Sequence, residues 1–497
     1  MHITSLPSPY GVGTMGKTAR RFVDFLHKAG QGYWQILPVT PTGYGDSPYQ
    51  SCSTYAGNHY LIDLDLLVEQ KLLKKHEVKN ICWGNREDRV DFGKLYSNRM
   101  NVLRLAYSRF TPDEKFQAFC KENENWIWDF AMFMALKDQN GGKPWYQWEA
   151  GVKYRTDEAM TRVWNSMQPQ ICFYCFVQYL FQCQWDGLCA YAHSMGIQII
   201  GDVPIYVPYD SAEVWSRPEL FYLDEKLDPI AVAGCPPDGF NADGQLWGNP
   251  LYRWEVHKDQ GYRWWIDRMA AAGRRYDLVR IDHFRGFESY WAVPFGDSNA
   301  RGGKWLPGPG LSFIRTMAEE LPHVKMIAED LGFLTQEVKD LQRASGYPGM
   351  KVLQFGFDPR EPSDYLPHTY TPNTVCYTGT HDNMTTRQWF ETASREEVRF
   401  ATSYMHITAD EGFVWGTIRS AMATVSELCV IPMQDYLELG GEARMNFPGT
   451  QSGDNWTWRS RKGFDSAALA KRIYKMTELY GRLNKKKETK LQTDHLQ

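Results

Sequence analysis

The chain has 497 residues, more than one ordinary domain needs, with a formal charge of −4. That balance gives no electrostatic footprint for nucleic acid or an anionic membrane surface. No run of eighteen apolar residues occurs to span a bilayer, and "MHITSLPSPYGVG" lacks the basic and apolar segments of a signal peptide.

In chain order, short apolar runs recur, each ending in polar residues. They are "GYWQILPV" (32–39), "GIQIIGDVPIYV" (196–207), "YDLVRIDHF" (276–284) and "VKMIAEDLG" (324–332). "GMKVLQFGFD" (349–358), "NTVCYTGTHD" (373–382) and "ELCVIPMQDYL" (427–437) follow. Runs that are apolar on both faces are the mark of strands in a parallel sheet covered on both sides. Helical patterns lie between them, among them "RFVDFLHKAG", "FIRTMAEELP" and "SREEVRFATSYM". Seven strands are predicted, with "HITSL" (2–6) as a possible eighth. The fold class is therefore α/β, a (β/α)8 TIM barrel forming one domain over 1–497 with large insertions. Residues 60–190 form a mostly helical insertion, 208–255 a Pro/Gly-rich one, and a polar tail follows residue 483. A doubly wound open sheet is the other candidate, but neither of its Gly-rich phosphate motifs occurs.

Ten cysteines show no pairing rhythm. The one CxxC, Cys172 and Cys175, sits in an amphipathic helical stretch and reads as core packing. A reduced, cytoplasmic protein is expected. His381-Asp382 and Asp282-His283 belong to no compact ligand set, so no metal or other cofactor is expected.

In a barrel, working residues sit at the C-terminal ends of the strands. Here Asp202, Asp282, Glu329 and Asp382 each close an apolar run. One such acid is readily a helix cap or half of an ion pair. Four are harder to dismiss. An unpaired buried charge costs several kcal/mol against a net stability of only about 5–15 kcal/mol, so they must be solvated, paired or in use. A wet cleft lined with carboxylates suits glycosidic chemistry. Arg280 and Asp282 share a strand face at i and i+2, so the guanidinium is expected to hold Asp282 ionised, as a nucleophile must be. Glu329 has Ile327 at the matching position, so desolvation is free to raise its pKa, as a general acid requires.

The stretches "GDSPYQSCSTYAGN", "GDVPIYV", "PPDGFNADGQLWGNPLY", "RIDHFRGFESYW", "IAEDLG", "GTHDNMTTRQW" and "RMNFPGT" occur in that order. Together they resemble the 4-α-glucanotransferases of the amylomaltase, or disproportionating-enzyme, family in the broad α-amylase clan. The resemblance implies a cofactor-free transferase that moves segments of α-1,4-glucan between malto-oligosaccharides by a retaining double displacement. It implies that Asp282 is the nucleophile, Glu329 the acid/base, and Asp382 the third acid, holding sugar hydroxyls. It further implies Arg280, His283 and His381 around the cleaved sugar, supported by Asp202, with Ser47 and Tyr49 on the donor side. Asp238, Trp247 and Asn249 would lie on a loop covering the cleft, and Asp358 and Asn446 near substrate. An α-glucan hydrolase would share every acid, and a glucan-binding protein without activity is the reading from another class. One departure stands out: the family carries several apolar residues before this motif, whereas only Met1 precedes His2. Either the start is placed late or the barrel has a thin seam there.

Overall fold

A computed structural model of the protein describes residues 1–43, 45–237, 242–332, 334–450 and 453–484. Asp238 and the polar tail therefore lie outside the described residues, the tail beyond its first one. Eleven strands form among them: β1 (Tyr33–Gln35), β2 (Gln198–Val203), β3 (Ala231–Cys235), β4 (Gln245–Pro250), β5 (Leu278–Ile281), β6 (Ser289–Pro294), β7 (Lys304–Pro307), β8 (Lys325–Ala328), β9 (Gly349–Val352), β10 (Thr374–Tyr377) and β11 (Leu428–Val430).

Seven of these make one sheet in the order β1-β2-β5-β8-β9-β10-β11, every pair parallel. They are the seven apolar runs. All four residues of β5 and of β10 are buried, as strands covered on both faces must be. Ile200, Leu278, Ile327, Met350, Val352, Val375 and Tyr377 meet in one apolar cluster. The Tyr377 hydroxyl donates to Gln35 Oε1 at 3.0 Å, tying β10 back to β1. Helices run between successive strands, including Arg263–Arg275 before β5, Gly310–Glu320 before β8 and Gln336–Ser345 before β9. The architecture is a (β/α)8-type barrel carrying insertions.

The eighth strand expected at "HITSL" does not form. Ile3–Ser5 is a 3₁₀ turn whose amides bond locally, Ser5 N to His2 O and Leu6 N to Ile3 O. Pro7 and Pro9 follow at once and offer no N–H to a ladder. Met1 and His2 instead reach the seam with side-chain and carbonyl contacts, Trp34 Nε1 to Met1 O and Leu37 N to His2 Nδ1. With the ends of β1 and β11 they line a space of about 820 Å³ that opens to solvent.

The 208–255 insertion is more ordered than its Pro/Gly content suggests. It supplies β3 and β4, which join β6 and β7 in an antiparallel sheet of order β4-β3-β6-β7. Because β6 begins seven residues after Asp282, this second sheet is joined directly to the polar crown of the barrel.

The 60–190 insertion is helical and ends in a 38-residue helix, Asp157–Ser194, broken in direction at Met167 ahead of Pro169. Beyond the kink two glutamines imitate a neighbouring strand. Gln178 accepts from Gly57 N at 2.6 Å and donates to Gly57 O at 3.0 Å. Gln184 does the same for Asp63, at 2.6 and 3.1 Å. These clamps hold the buried segment that follows "DSPYQ". Replacing Gln178 by Ala leaves a buried amide and carbonyl unpaired, which should lower stability by about 2–4 kcal/mol in urea denaturation; a loss under about 0.5 kcal/mol would contradict the clamp.

Candidate active site

The backbone at the ends of β5 and β8 is pinned before any side chain acts. Asp282 N donates to Val203 O and Glu329 N to Ile281 O, each at 3.0 Å, so both ladders extend one residue past the strands. Asp282 and Glu329 therefore sit at matching positions on adjacent strands, whose axes lie about 4.8 Å apart. His283 then adopts the left-handed region, with φ of 50°. That turn aims its own amide at Glu329 Oε2, at 2.6 Å, while Leu331 N reaches Glu329 Oε1 at 3.0 Å.

Arg280 lies beneath them, buried. Its Nη1 donates to both oxygens of Asp202 at 2.8 Å and to Asp282 Oδ1 at 3.0 Å. The strand registers explain the grouping, since Asp202 pairs with Arg280 across β2 and β5, and Asp282 is two residues along the same face.

This sharing corrects one expectation. Arg280 alone was to hold Asp282 below the usual carboxylate range. Instead burial pushes Asp282 up to about 6; Arg280 opposes the rise, and the charge of Asp202 adds to it. The guanidinium spends most of its hydrogen bonding on Asp202, so it offsets burial without overcoming it. The Asp282 side chain keeps 29% of its surface open, whereas Glu329 keeps 9%. Glu329 is pushed up to about 7, first by burial, against the pull of Arg280 and with the charge of Asp282 adding. Its direction is the expected one, and Asp282 remains the stronger acid of the two. His283 is driven down to about 3 by burial and is neutral.

Asp382 follows β10 and stays 46% open. His381 Nε2 lies 3.3 Å from its Oδ1, and Asn446 Nδ2 donates to the same oxygen at 2.7 Å. Its charge is felt at Asp282 and at Tyr49, which places it on the same cleft. The Tyr49 hydroxyl donates to Asp202 Oδ2 at 2.7 Å, its ring stacks on His381 with centroids 5.0 Å apart, and Ser47 Oγ accepts from its amide. From β4, Trp247 meets His283 edge-on at 4.8 Å, and Asn249 Oδ1 accepts from Gln50 at 3.3 Å. Thus Asp202, Arg280, Asp282, His283, Glu329, His381, Asp382, Asn446, Ser47, Tyr49, Trp247 and Asn249 form one connected constellation. Asp358 spends its carboxylate on Arg360, which holds it down to about 2.

Two participants carry no signal of their own in the sequence. Met350 Sδ receives Arg280 Nε at 3.4 Å, and Arg444 donates to the carbonyls of Asp382 and Asn446. Arg444 at least lies inside "RMNFPGT"; Met350 reads only as a core residue.

Residues 1–464 match the family model for glycoside hydrolase family 77, 4-alpha-glucanotransferase. The chain is 45% identical to the 4-alpha-glucanotransferase of Clostridium butyricum, covering 97% of this chain and 100% of that one. It is also 45% identical to that of Thermus thermophilus, over 97% and 98%. Among solved structures, amylomaltase from Streptococcus agalactiae in complex with acarbose superposes with a TM-score of 0.94 at 42% identity, covering 97% and 98%.

The charge balance can be read directly. Asp202→Asn removes a like charge from beside Asp282 and leaves Arg280 to it, so Asp282 should titrate below about 6. Infrared carboxylate titration, with the Asp282→Asn protein as reference, measures this; an unchanged or higher midpoint would contradict the shared-guanidinium account.

Proposed function

The chain belongs to the 4-alpha-glucanotransferase family, and from that premise we propose how its residues divide the work. The enzyme moves segments of α-1,4-glucan from a donor chain to the 4-hydroxyl of an acceptor glucose or glucan. Asp282 is the nucleophile and Glu329 the acid/base. The observation that carries this assignment is geometric: at matching positions on neighbouring strand ends, Asp282 is hydrogen-bonded by the Arg280 guanidinium and partly open, whereas Glu329 is buried, and burial raises its pKa. A carboxylate held by a cation beside a carboxyl that burial helps keep protonated is the division a retaining double displacement needs.

In the first step Asp282 attacks the anomeric carbon of the donor sugar as the glycosidic bond breaks. Glu329 delivers its proton to the departing oxygen, leaving a covalent glucosyl-enzyme and a shortened chain. In the second step the Glu329 carboxylate takes the proton of the acceptor 4-hydroxyl, whose oxygen displaces Asp282. The α configuration is restored and both carboxyls return to their starting state. Asp382, held by His381 and Asn446, accepts hydrogen bonds from hydroxyls of the distorted sugar. His283 is neutral and serves as a hydrogen-bonding wall, while Arg280, anchored by Asp202, opposes protonation of Asp282 and aims it. Tyr49 and Ser47 face the donor side.

The sheet bearing Trp247 and Asn249 closes over the cleft; Asp238, in the same 208–255 stretch of sequence, lies outside the described residues. The work of the sheet is to exclude water so that a sugar hydroxyl wins the second step. Each 1.4 kcal/mol of acceptor binding is worth about tenfold in that competition. Asp358 is the least supported of the substrate residues, given its ion pair with Arg360. We also place the enzyme in the cytoplasm. Thiols at Cys52, Cys120, Cys175 and Cys376, held outside any disulfide, support this.

Maltotriose as sole substrate tests the reading. The products should be glucose together with longer oligosaccharides, at a constant number of reducing ends. The kcat/KM of that reaction should be bell-shaped in pH. It should fall below about 6 as Asp282 takes up a proton and above about 7 as Glu329 loses one. Reducing ends rising in step with substrate loss would make the enzyme a hydrolase.

A further inference from the structure

Trp456 stands behind the site without touching any of its carboxylates. It is buried, with 7% of its surface exposed, and its backbone adopts φ of 64°. Left-handed backbone is costly for a bulky aromatic residue and persists only where the surroundings enforce it, often at functional sites. Two sets of contacts do the enforcing here.

The first is made by the ring. The indole lies 5.8 Å from the Tyr49 ring and 5.7 Å from the His381 ring, tilted by 44° and 38°. Tyr49 and His381 are themselves stacked, so the three rings form one block. The second is made by the backbone. Trp456 N donates to Met445 O at 2.7 Å, and the next residue, Asn446, donates from its own amide to His381 O at 3.1 Å. Trp456 thus fixes the segment that carries Asn446. His381 and Asn446 are the two side chains that hold Asp382 Oδ1. Tyr49 in turn holds Asp202, the partner of Arg280.

On these contacts, and resting on the assignment of Asp382 to the reacting sugar, we infer that Trp456 is a positioning residue for the transfer reaction. It sets both side-chain neighbours of Asp382 Oδ1 at once, His381 through its ring and Asn446 through its backbone. The residue acts on the acid that grips the distorted sugar. Its loss should therefore lower kcat more than it weakens binding of the undistorted donor.

Trp456→Leu keeps an apolar group of moderate size but no ring, whereas Trp456→Phe keeps a ring. With maltotriose, Trp456→Leu should lower kcat at least about tenfold with KM within about threefold, and Trp456→Phe, with its smaller ring, should lower kcat less, by about three- to fivefold. A double-mutant cycle supplies the readout that a purely structural role would not move. In a His381→Ala background, Trp456→Phe should cost clearly less than it costs in the native background, since the partner it positions is gone. A folded Trp456→Leu enzyme with kcat within about twofold of the native enzyme would overturn the inference. So would additive effects in the Phe/His381→Ala cycle, which decides the matter even if the leucine variant does not fold. Failure of the underlying reading would show separately, as native enzyme that does not transfer or an Asp382→Asn enzyme of undiminished rate.

Discussion

One guanidinium at the throat of the barrel governs the chemistry above it. Arg280 is buried between Asp202, which it binds through both carboxylate oxygens, and Asp282, which it binds through one. Burying one cation between two acids is expensive, because desolvation offsets much of the Coulombic gain. A hydrophobic trio would fill the same space at less cost. What the charged trio provides is a nucleophile with adjusted acidity. Without Arg280, burial and the charge of Asp202 would both drive Asp282 toward its neutral form. With Arg280 given wholly to Asp282, the carboxylate would be a weaker nucleophile. Sharing the cation opposes that drift at Asp282, while burial favours the proton on Glu329.

The remainder of the chain makes that arrangement rigid and dry. Adjacent parallel strands deliver the two acids at matching heights, and two backbone bonds, Glu329 N to Ile281 O and Phe284 N to Glu329 O, tie their ends together. The left-handed turn at His283 serves two purposes: it presents an amide to Glu329 and sends the chain up into the second sheet. That sheet carries Trp247 back over His283, so the lid and the nucleophile loop are tied together through one sheet. On the opposite wall, Tyr49 is supported by His381 and Trp456, while the glutamine clamps on the long helix fix the segment that follows it. A transferase needs this stiffness more than a hydrolase does, because a slack cleft admits water ahead of the acceptor.

Much of this was legible in the residues. The seven barrel strands could be read because a strand buried on both faces has nowhere to place a polar side chain until it ends. For the same reason the acids at those ends were visible as Asp202, Asp282, Glu329 and Asp382. What could not be read depended on contacts distant in sequence. "HITSL" looks like a strand by composition, but the prolines after it and the bonds it makes locally turn it into a 3₁₀ segment. The β3–β4 pair hid inside a Pro/Gly-rich stretch because its partner, β6, lies about sixty residues from β3. The i, i+2 spacing of Arg280 and Asp282 showed the pair but not how Asp202 shares the cation, nor the burial that raises the pKa of Asp282 despite it. Trp456 gave no sign at all, since its importance lies in a backbone angle and two ring contacts.

The central claim is that Asp282 becomes covalently attached to sugar while Glu329 manages the protons. An α-maltooligosyl fluoride lacking its terminal 4-hydroxyl, incubated with Glu329→Gln enzyme and no acceptor, tests this directly. Fluoride leaves without acid assistance, whereas release of the sugar needs the missing base. Peptide mass spectrometry should then find one glycosyl adduct, on the side chain of Asp282. Fluoride release with no adduct, or an adduct on another residue, would contradict the account.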